Sequence, residues 1–192
     1  MPAAQLILAS ASPRRRELLE QIGIRYQVQT ADIDETAWPD EDPLDLVQRL
    51  AKEKAQWVWE HSDKTLPVLG ADTLGVLAGH LLVKPDDFAS ARQMLLSMSG
   101  RMHTIYSAVA LCHQDICELA VSESKVWFRM IAEAEIAAYW QQGEPWDKAG
   151  AYAIQGIGAI FVERLEGSYS GVMGLPLFET AQLLQKIGVR IL

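Results

Sequence analysis

The chain has 192 residues, 49% of them hydrophobic and 22% charged, with 25 acidic against 17 basic side chains and a formal net charge of −8. That length suits a single domain over residues 1–192, or one domain with a lobed insertion, and lets a sizeable core form. The acid excess argues against a general nucleic-acid binder, so any basic site must be local and built from a few placed Arg and Lys.

The first stretch, LILASASPRRRELL from Leu6 to Leu19, opens with apolar residues that predict a buried strand. Pro13 suits a first helical position, so Ser12 is the expected N-cap, with Leu18, Leu19 and Ile22 facing inward. A serine-rich turn entering a helix N-terminus makes an anion site, because unpaired N–H groups and the dipole favour negative charge there. Three consecutive arginines oppose that dipole and make sense if an anion sits among them. Taken alone, the stretch reads equally well as a capped helix with a solvated basic face.

Gly23 ends this helix and Ile24–Gln29 reads as a second strand. Ala31–Pro43, acidic and with two prolines, reads as a loop. Leu44 to about Glu60 is helical, with Leu46, Val47, Leu50, Ala51 and Val58 near helical spacing. Leu66–Asp72 is an apolar strand paired with Leu74–Val83 around Gly79 and His80. A helix over Phe88–Met98 closes at Gly100. Thr104–Cys112 and Cys117–Met130 are long strands, the second alternating at Val121, Val126 and Phe128. Glu133–Gln141 is a short helix started by acidic residues. Seven of the thirteen glycines lie between Gly143 and Gly174, around one clear strand, Ala159–Leu165, before a closing helix over Leu177–Ile187. The mixed order points to α/β with a long or bent central sheet. Cys112 and Cys117 flank a turn where a disulfide could form, but two reduced thiols in a cytoplasmic protein are expected. No apolar run nears the roughly 20 residues of a membrane span, and the arginines follow the first apolar run, the wrong polarity for a signal peptide.

Several chemistries fall away. There is no P-loop motif, and Gly156-Ile157-Gly158 lacks the third glycine of a dinucleotide fingerprint. His61, His80, His103 and His113 show no zinc spacing. Gly167-Ser-Tyr-Ser-Gly171 has Tyr169 where a nucleophile elbow needs serine.

Charged residues at strand ends and loops remain. Asp72 ends the strand Val68–Ala71, and a carboxylate there is costly unless bonded, paired or metal-bound. Asp32, Asp34 and Glu35 form an acidic knot that ordinarily would be plain solvated charge. Lys54 falls on the inner side of its helix, Lys84 precedes Pro85, and Lys148 sits in the glycine-rich segment. Each lysine alone is ordinary surface. Together with Arg14 and Arg15 they supply the cations a polyphosphate needs, while Asp72 and Glu35 could hold a divalent metal.

The segments Leu8–Arg15, Gly70–Thr73, Lys84-Pro85, Gly143–Gly156 and Gly167–Pro176 resemble, in order and over nearly the whole chain, the motifs of the Maf nucleotide pyrophosphatases. Five ordered motifs are far more specific than one. The resemblance implies hydrolysis of a nucleoside triphosphate between its α- and β-phosphates, with Mg²⁺ or Mn²⁺. It also implies a mixed α/β fold with two lobes around a cleft, related to the inosine triphosphate pyrophosphatases. By the resemblance, Asp72 is the general base, and Arg14, Thr73 and Gln155 set specificity. Family members acting on dTTP and UTP carry Arg, Thr and Gln there, whereas those acting on 7-methyl-GTP carry Trp and Glu at the first and last. Two positions depart from the family: Gly75, where an apolar β-former is usual, and Trp146, which could cover the pocket.

In this reading Arg14 and Arg15 grip phosphate oxygens, helped by N–H groups near Ser10, and Lys54 and Lys84 act as point charges. Gln155 offers both donor and acceptor to the O4 and N3–H edge of thymine or uracil. A nucleotide-binding regulator of cell division without turnover would use the same cations, but it would gain nothing from Asp72 and Glu35 beside the phosphates. The oligomeric state is left open, a homodimer among the assemblies allowed; neither nucleic acid nor membrane is expected as a partner.

Overall fold

Leu6–Leu8, all three buried, form strand β1, and Pro13–Gln21 follow as helix α1 with Pro13 in its first turn. The computed structural model describes residues 3–191, the side chain of Asp147 apart. Ser12 holds the N-cap position of α1, but its hydroxyl makes no capping bond. Its N–H donates instead to Ser10 Oγ at 3.2 Å, so Ser10 ties the turn.

Strand β2 is Tyr26–Val28, and helix α2, Pro43–Glu60, starts beneath Asp42, whose side chain accepts from the Leu44 N–H. One stripe of α2 buries Leu46, Val47, Leu50, Ala51, Lys54, Ala55 and Val58. Strands β3 (Val68–Leu77) and β4 (His80–Leu82) precede helix α3 (Phe88–Met98), which Asp87 and Ser90 open with a reciprocal capping box. Then come β5 (Met102–His113), β6 (Ile116–Phe128), α4 (Glu133–Trp140), 3-10 turns over Glu144–Asp147, Ala149–Ala151 and Ile157–Phe161, β7 (Val162–Glu166), α5 (Tyr169–Met173) and α6 (Leu177–Lys186). The seven strands make one sheet in the order β2-β1-β3-β5-β6-β7, with β4 on β3. Strand β1 runs parallel to β2 and β3, whereas β4 and β7 lie antiparallel to β3 and β6. This is the mixed α/β class that the element order points to.

Four local expectations are corrected. Asp72 does not end a strand: β3 runs unbroken from Val68 to Leu77, because a cation meets the carboxylate inside the fold. Of Ala159–Leu165, only the part from Val162 on is strand; Ala159–Phe161 close a 3-10 turn in which the Ala159 N–H donates to the Gly156 carbonyl at 3.2 Å instead of to a ladder. In β6 the buried phase is Ser122, Ser124, Val126 and Phe128, and Val121 belongs to the other face. Serine can take an inner position because Ser124 Oγ accepts from the Ser168 N–H at 2.9 Å. Cys112 and Cys117, expected as thiols, are joined across the β5–β6 hairpin, which brings their Cα atoms to 4.1 Å.

The chain divides into two compact units, with crossings at Thr73/Leu74, Tyr106/Ser107, Ser122/Glu123 and Met173/Gly174. In the first unit the core gathers Leu6, Leu8, Leu19, Val47, Val58, Leu69, Val109 and Leu184. There α2 lies so close on β3 that a Cβ at Gly70 would sit 2.4 Å from the Ala51 carbonyl oxygen. In the second unit Leu95, Met98, Val126, Phe128, Ile136, Tyr139, Tyr152 and Phe161 pack into one cluster.

Candidate active site

The first unit assembles seven of the residues singled out from the sequence. Lys54, on the buried stripe of α2, places Nζ 2.7 Å from Asp72 Oδ1 and 2.9 Å from Glu35 Oε2. Lys54 and Asp72 are each only 8% exposed, whereas Glu35 reaches in from the exposed acidic loop. At the start of α1, Arg15 donates from Nη1 to Ser10 Oγ at 3.0 Å and from Nε to the Gly174 carbonyl at 2.8 Å. Thr73 Oγ1 donates to the same carbonyl at 3.3 Å and shares a 2.8 Å hydrogen bond with Ser107 Oγ. Arg14 is half-buried and close enough to Arg15 for their charges to interact.

Burial lowers the Arg15 pKa from its ordinary value; the Asp72 and Glu35 charges work against that fall, and Arg14 adds to it. Arginine keeps its proton regardless. Among the described residues its hydrogen bonds go to neutral oxygens, Ser10 Oγ and the Gly174 carbonyl, which leaves a partly desolvated guanidinium without a carboxylate in hydrogen-bond contact there. An incoming anion supplies what is missing. The point where the two carboxylate oxygens converge is filled by the Lys54 ammonium, so a divalent cation, commonly held by one or two carboxylates plus substrate phosphates, would take these oxygens in its place. No group of three His, Cys, Asp or Glu able to hold an ion unaided occurs among the described residues. Such an ion would therefore come in with its phosphates.

Lys84, Lys148 and Gln155 belong to the second unit. Lys84 is exposed just beyond β4, and the neighbouring Val83 carbonyl accepts from the Gly150 N–H at 2.9 Å. Lys148 is half-buried at the start of the second 3-10 turn, where its charge acts on Glu144. Gln155 is exposed between buried Ile154 and half-buried Gly156. Trp146 is 60% exposed and leans on Trp140 with ring centroids 6.0 Å apart. At Gly75 a Cβ would meet Leu82 Cδ1 at 2.9 Å and Ile105 Cδ1 at 3.1 Å, the packing reason for the missing side chain.

Three participants escape a reading of the sequence. Ser107 looks like any strand serine, and the Gly174 carbonyl has no side chain to advertise it. Glu144 stands in a motif, but its environment gives it meaning: it accepts from Tyr139 OH at 2.6 Å and from the backbone N–H groups of Ile157 and Gly158. A glutamate immediately before Pro145 in a glycine-rich stretch is the one signal that could have flagged it.

A family described as Maf-like protein matches residues 5–187. The dTTP/UTP pyrophosphatase of Hahella chejuensis is 49% identical over 189 residues, covering 97% of this chain and 94% of that one. The proteins of that name from Pseudoalteromonas atlantica and Aliivibrio fischeri are 50% and 48% identical over 187 residues, covering 96% and 95% of this chain and 97% and 98% of their own. Among solved structures, a nucleoside-triphosphatase / dITP/XTP pyrophosphatase from Mycobacterium abscessus superposes with a TM-score of 0.46 at 16% identity, covering 64% of this chain and 73% of that one. That likeness is too slight to build on.

Proposed function

This chain belongs to the Maf family, and we infer from that membership that it is a nucleoside triphosphate pyrophosphatase, a hydrolase of acid anhydrides acting on dTTP and UTP. The observation that carries the reading is Lys54 held between Asp72 and Glu35, in the same unit as the Ser10–Arg15 grip. A pure binder of polyanions has no use for two carboxylates beside its phosphates.

A triphosphate brings about four negative charges, so catalysis is mainly positioning and charge neutralisation. Arg14 and Arg15 would hold phosphate oxygens in guanidinium forks, with Ser10 orienting Arg15. Lys54, Lys84 and Lys148 would add point charges. Asp72 would take the proton of the attacking water as the α–β anhydride bond breaks, releasing monophosphate and pyrophosphate. Glu35 and Asp72 would hold a Mg²⁺ or Mn²⁺ ion, which when bound neutralises charge on the phosphates. Gln155, with Thr73 and Arg14, would read the pyrimidine dione edge, and cytosine, whose pattern is reversed, would leave polar groups unpaired. Arg14, in place of tryptophan, sets the 7-methyl-GTP reading second. We take the whole chain as one functional domain. A cytoplasmic location fits a substrate drawn from nucleotide pools, and there reducing thiols would compete with the Cys112–Cys117 bond. No helix among the described residues is long and apolar enough to cross a membrane.

Pyrophosphate release from a panel of nucleotides with Mg²⁺ or Mn²⁺ tests the reading: dTTP and UTP should lead. Asp72→Asn should cut turnover by roughly 10²–10⁴-fold with nucleotide binding largely kept. Near-native turnover in that variant would remove Asp72 from the chemistry.

A further inference from the structure

Gln155 stands third in a turn, Ala153–Gly156, closed by the Gly156 N–H donating to the Ala153 carbonyl at 3.2 Å. The two ends of this turn run to two side chains that are bonded to each other. Before it, the Ala153 N–H donates to Tyr139 OH at 3.2 Å. After it, the N–H groups of Ile157 and Gly158 donate to Glu144 Oε2 and Oε1 at 2.8 and 2.9 Å. Tyr139 OH in turn donates to Glu144 Oε1 at 2.6 Å, which closes the circuit.

The packing is built around that pair. A Cβ on Gly156 would lie 2.1 Å from Glu144 Oε2, and one on Gly158 would lie 2.6 Å from Tyr139 OH. Gly156-Ile157-Gly158 thus exists to admit a carboxylate and a phenol, not a dinucleotide. Tyr139 is 3% exposed and meets the Phe161 ring edge-on, centroids 5.1 Å apart. Burial alone would raise the Glu144 pKa, but the hydrogen bonds from Tyr139, Gly158 and Ile157, with the Lys148 charge, outweigh it and hold the pKa below its ordinary value. Glu144 is therefore an ionised, acceptor-only group, and hydrogen bonds to an ionised acceptor are the strong ones. The result is an exposed glutamine on a turn whose two ends are anchored in the core.

We infer that the Tyr139–Glu144 pair is a positioning device for specificity: it fixes the turn that presents Gln155, and so sets base selectivity without touching the substrate. This rests on Gln155 as the base reader. A glutamine at position 144 could still serve Tyr139 and Gly158 through its carbonyl, but its amide would point a donor at the Ile157 N–H. Glu144→Gln therefore loosens one end of the turn at nearly constant volume.

The test is kcat and KM for dTTP and dCTP in wild type, Glu144→Gln, Tyr139→Phe, Gln155→Ala and the Glu144→Gln/Gln155→Ala double variant, with thermal midpoints. Glu144→Gln should lower the dTTP-over-dCTP preference about ten- to a hundredfold. The loss should lie in KM for dTTP, with kcat within about threefold. In the Gln155→Ala background the same change should do nothing more to the preference. Should Glu144→Gln fail to fold, Tyr139→Phe, which keeps its ring in the packing, carries the test in the same direction. Equal losses for both nucleotides, or effects that add to those of Gln155→Ala, would make the pair merely structural and overturn the inference. If Gln155→Ala itself leaves the preference intact, base reading by Gln155 falls and the inference with it. If Gln155→Ala abolishes the preference but Glu144→Gln does not, the inference alone falls.

Discussion

Lys54 is the residue on which most of the site's electrostatics depends. Its ammonium is nearly dry and faces two carboxylates of different kinds, Asp72 with a side chain 12% exposed and Glu35 with one 58% exposed. Removing one partner of a buried pair costs about 3–5 kcal/mol, because the other charge is stranded; a solvated pair is worth about 1 kcal/mol or less. Lys54→Met should therefore lower unfolding stability by several kcal/mol, and Glu35→Gln by less than about 1 kcal/mol. Urea midpoints read at constant m-value check this. Equally small losses would show that water already reaches Asp72. The inward position of Lys54 is legible in the spacing from Val47, but its partners are not, since Asp72 lies 18 residues further along the chain.

At the scale of elements, the site depends on how closely α2 lies on β3. Gly70 and Asp72 share a face of the strand by its two-residue period, and the bare Cα of Gly70 lets the helix come near enough for Lys54 to reach Asp72. A Cβ there would meet backbone, the Ala51 oxygen at 2.4 Å and the Ala55 nitrogen at 2.6 Å, which cannot swing aside. Gly70→Ala should cost about 1–3 kcal/mol or more in overpacking and reduce kcat by pushing Lys54 off Asp72. Gly75→Ala is the control, because the two nearest atoms it meets are side-chain ends, Leu82 Cδ1 and Ile105 Cδ1, and no backbone atom is among the nearest three. It should cost less and leave kcat alone, and a reversed order in stability assays would break the account. The sequence sets Gly70 in a family motif and Gly75 outside the family pattern, but what stands over each is decided by packing.

At the scale of the whole molecule, His103 is one source of acid sensitivity. It is 1% exposed, its Nε2 lies 2.8 Å from Tyr152 OH, and its buried Nδ1 has no hydrogen-bond partner among the described residues. Burial pushes its pKa down from 6.5 to about 4. As pH falls, the unfolded chain takes up this proton first, so the histidine destabilises the fold progressively between about 6.5 and 4 and adds nothing further below that. The full effect approaches roughly 3 kcal/mol. His103→Gln removes the titration, so the wild-type-minus-variant difference in unfolding free energy should shift by about that amount across the window. A difference constant with pH would mean that His103 is hydrated in the fold.

What the sequence determined by itself is local or ordered along the chain: the order of helices and strands, the inward stripe of α2, the arginine-rich entry to α1, and the motif succession that marks the family. Each depends on periodicity or on neighbours a few residues apart, where chain geometry alone dictates the outcome. Only the tertiary structure decided that β3 continues through Asp72, that Ser124 is an inner residue, that Arg15 is tied to a carbonyl 159 residues away, and that one tyrosine–glutamate pair anchors the turn bearing Gln155. The reason is the same in each case: a buried polar group is tolerable only if it finds a partner, and that partner is supplied by whichever segments the fold brings alongside.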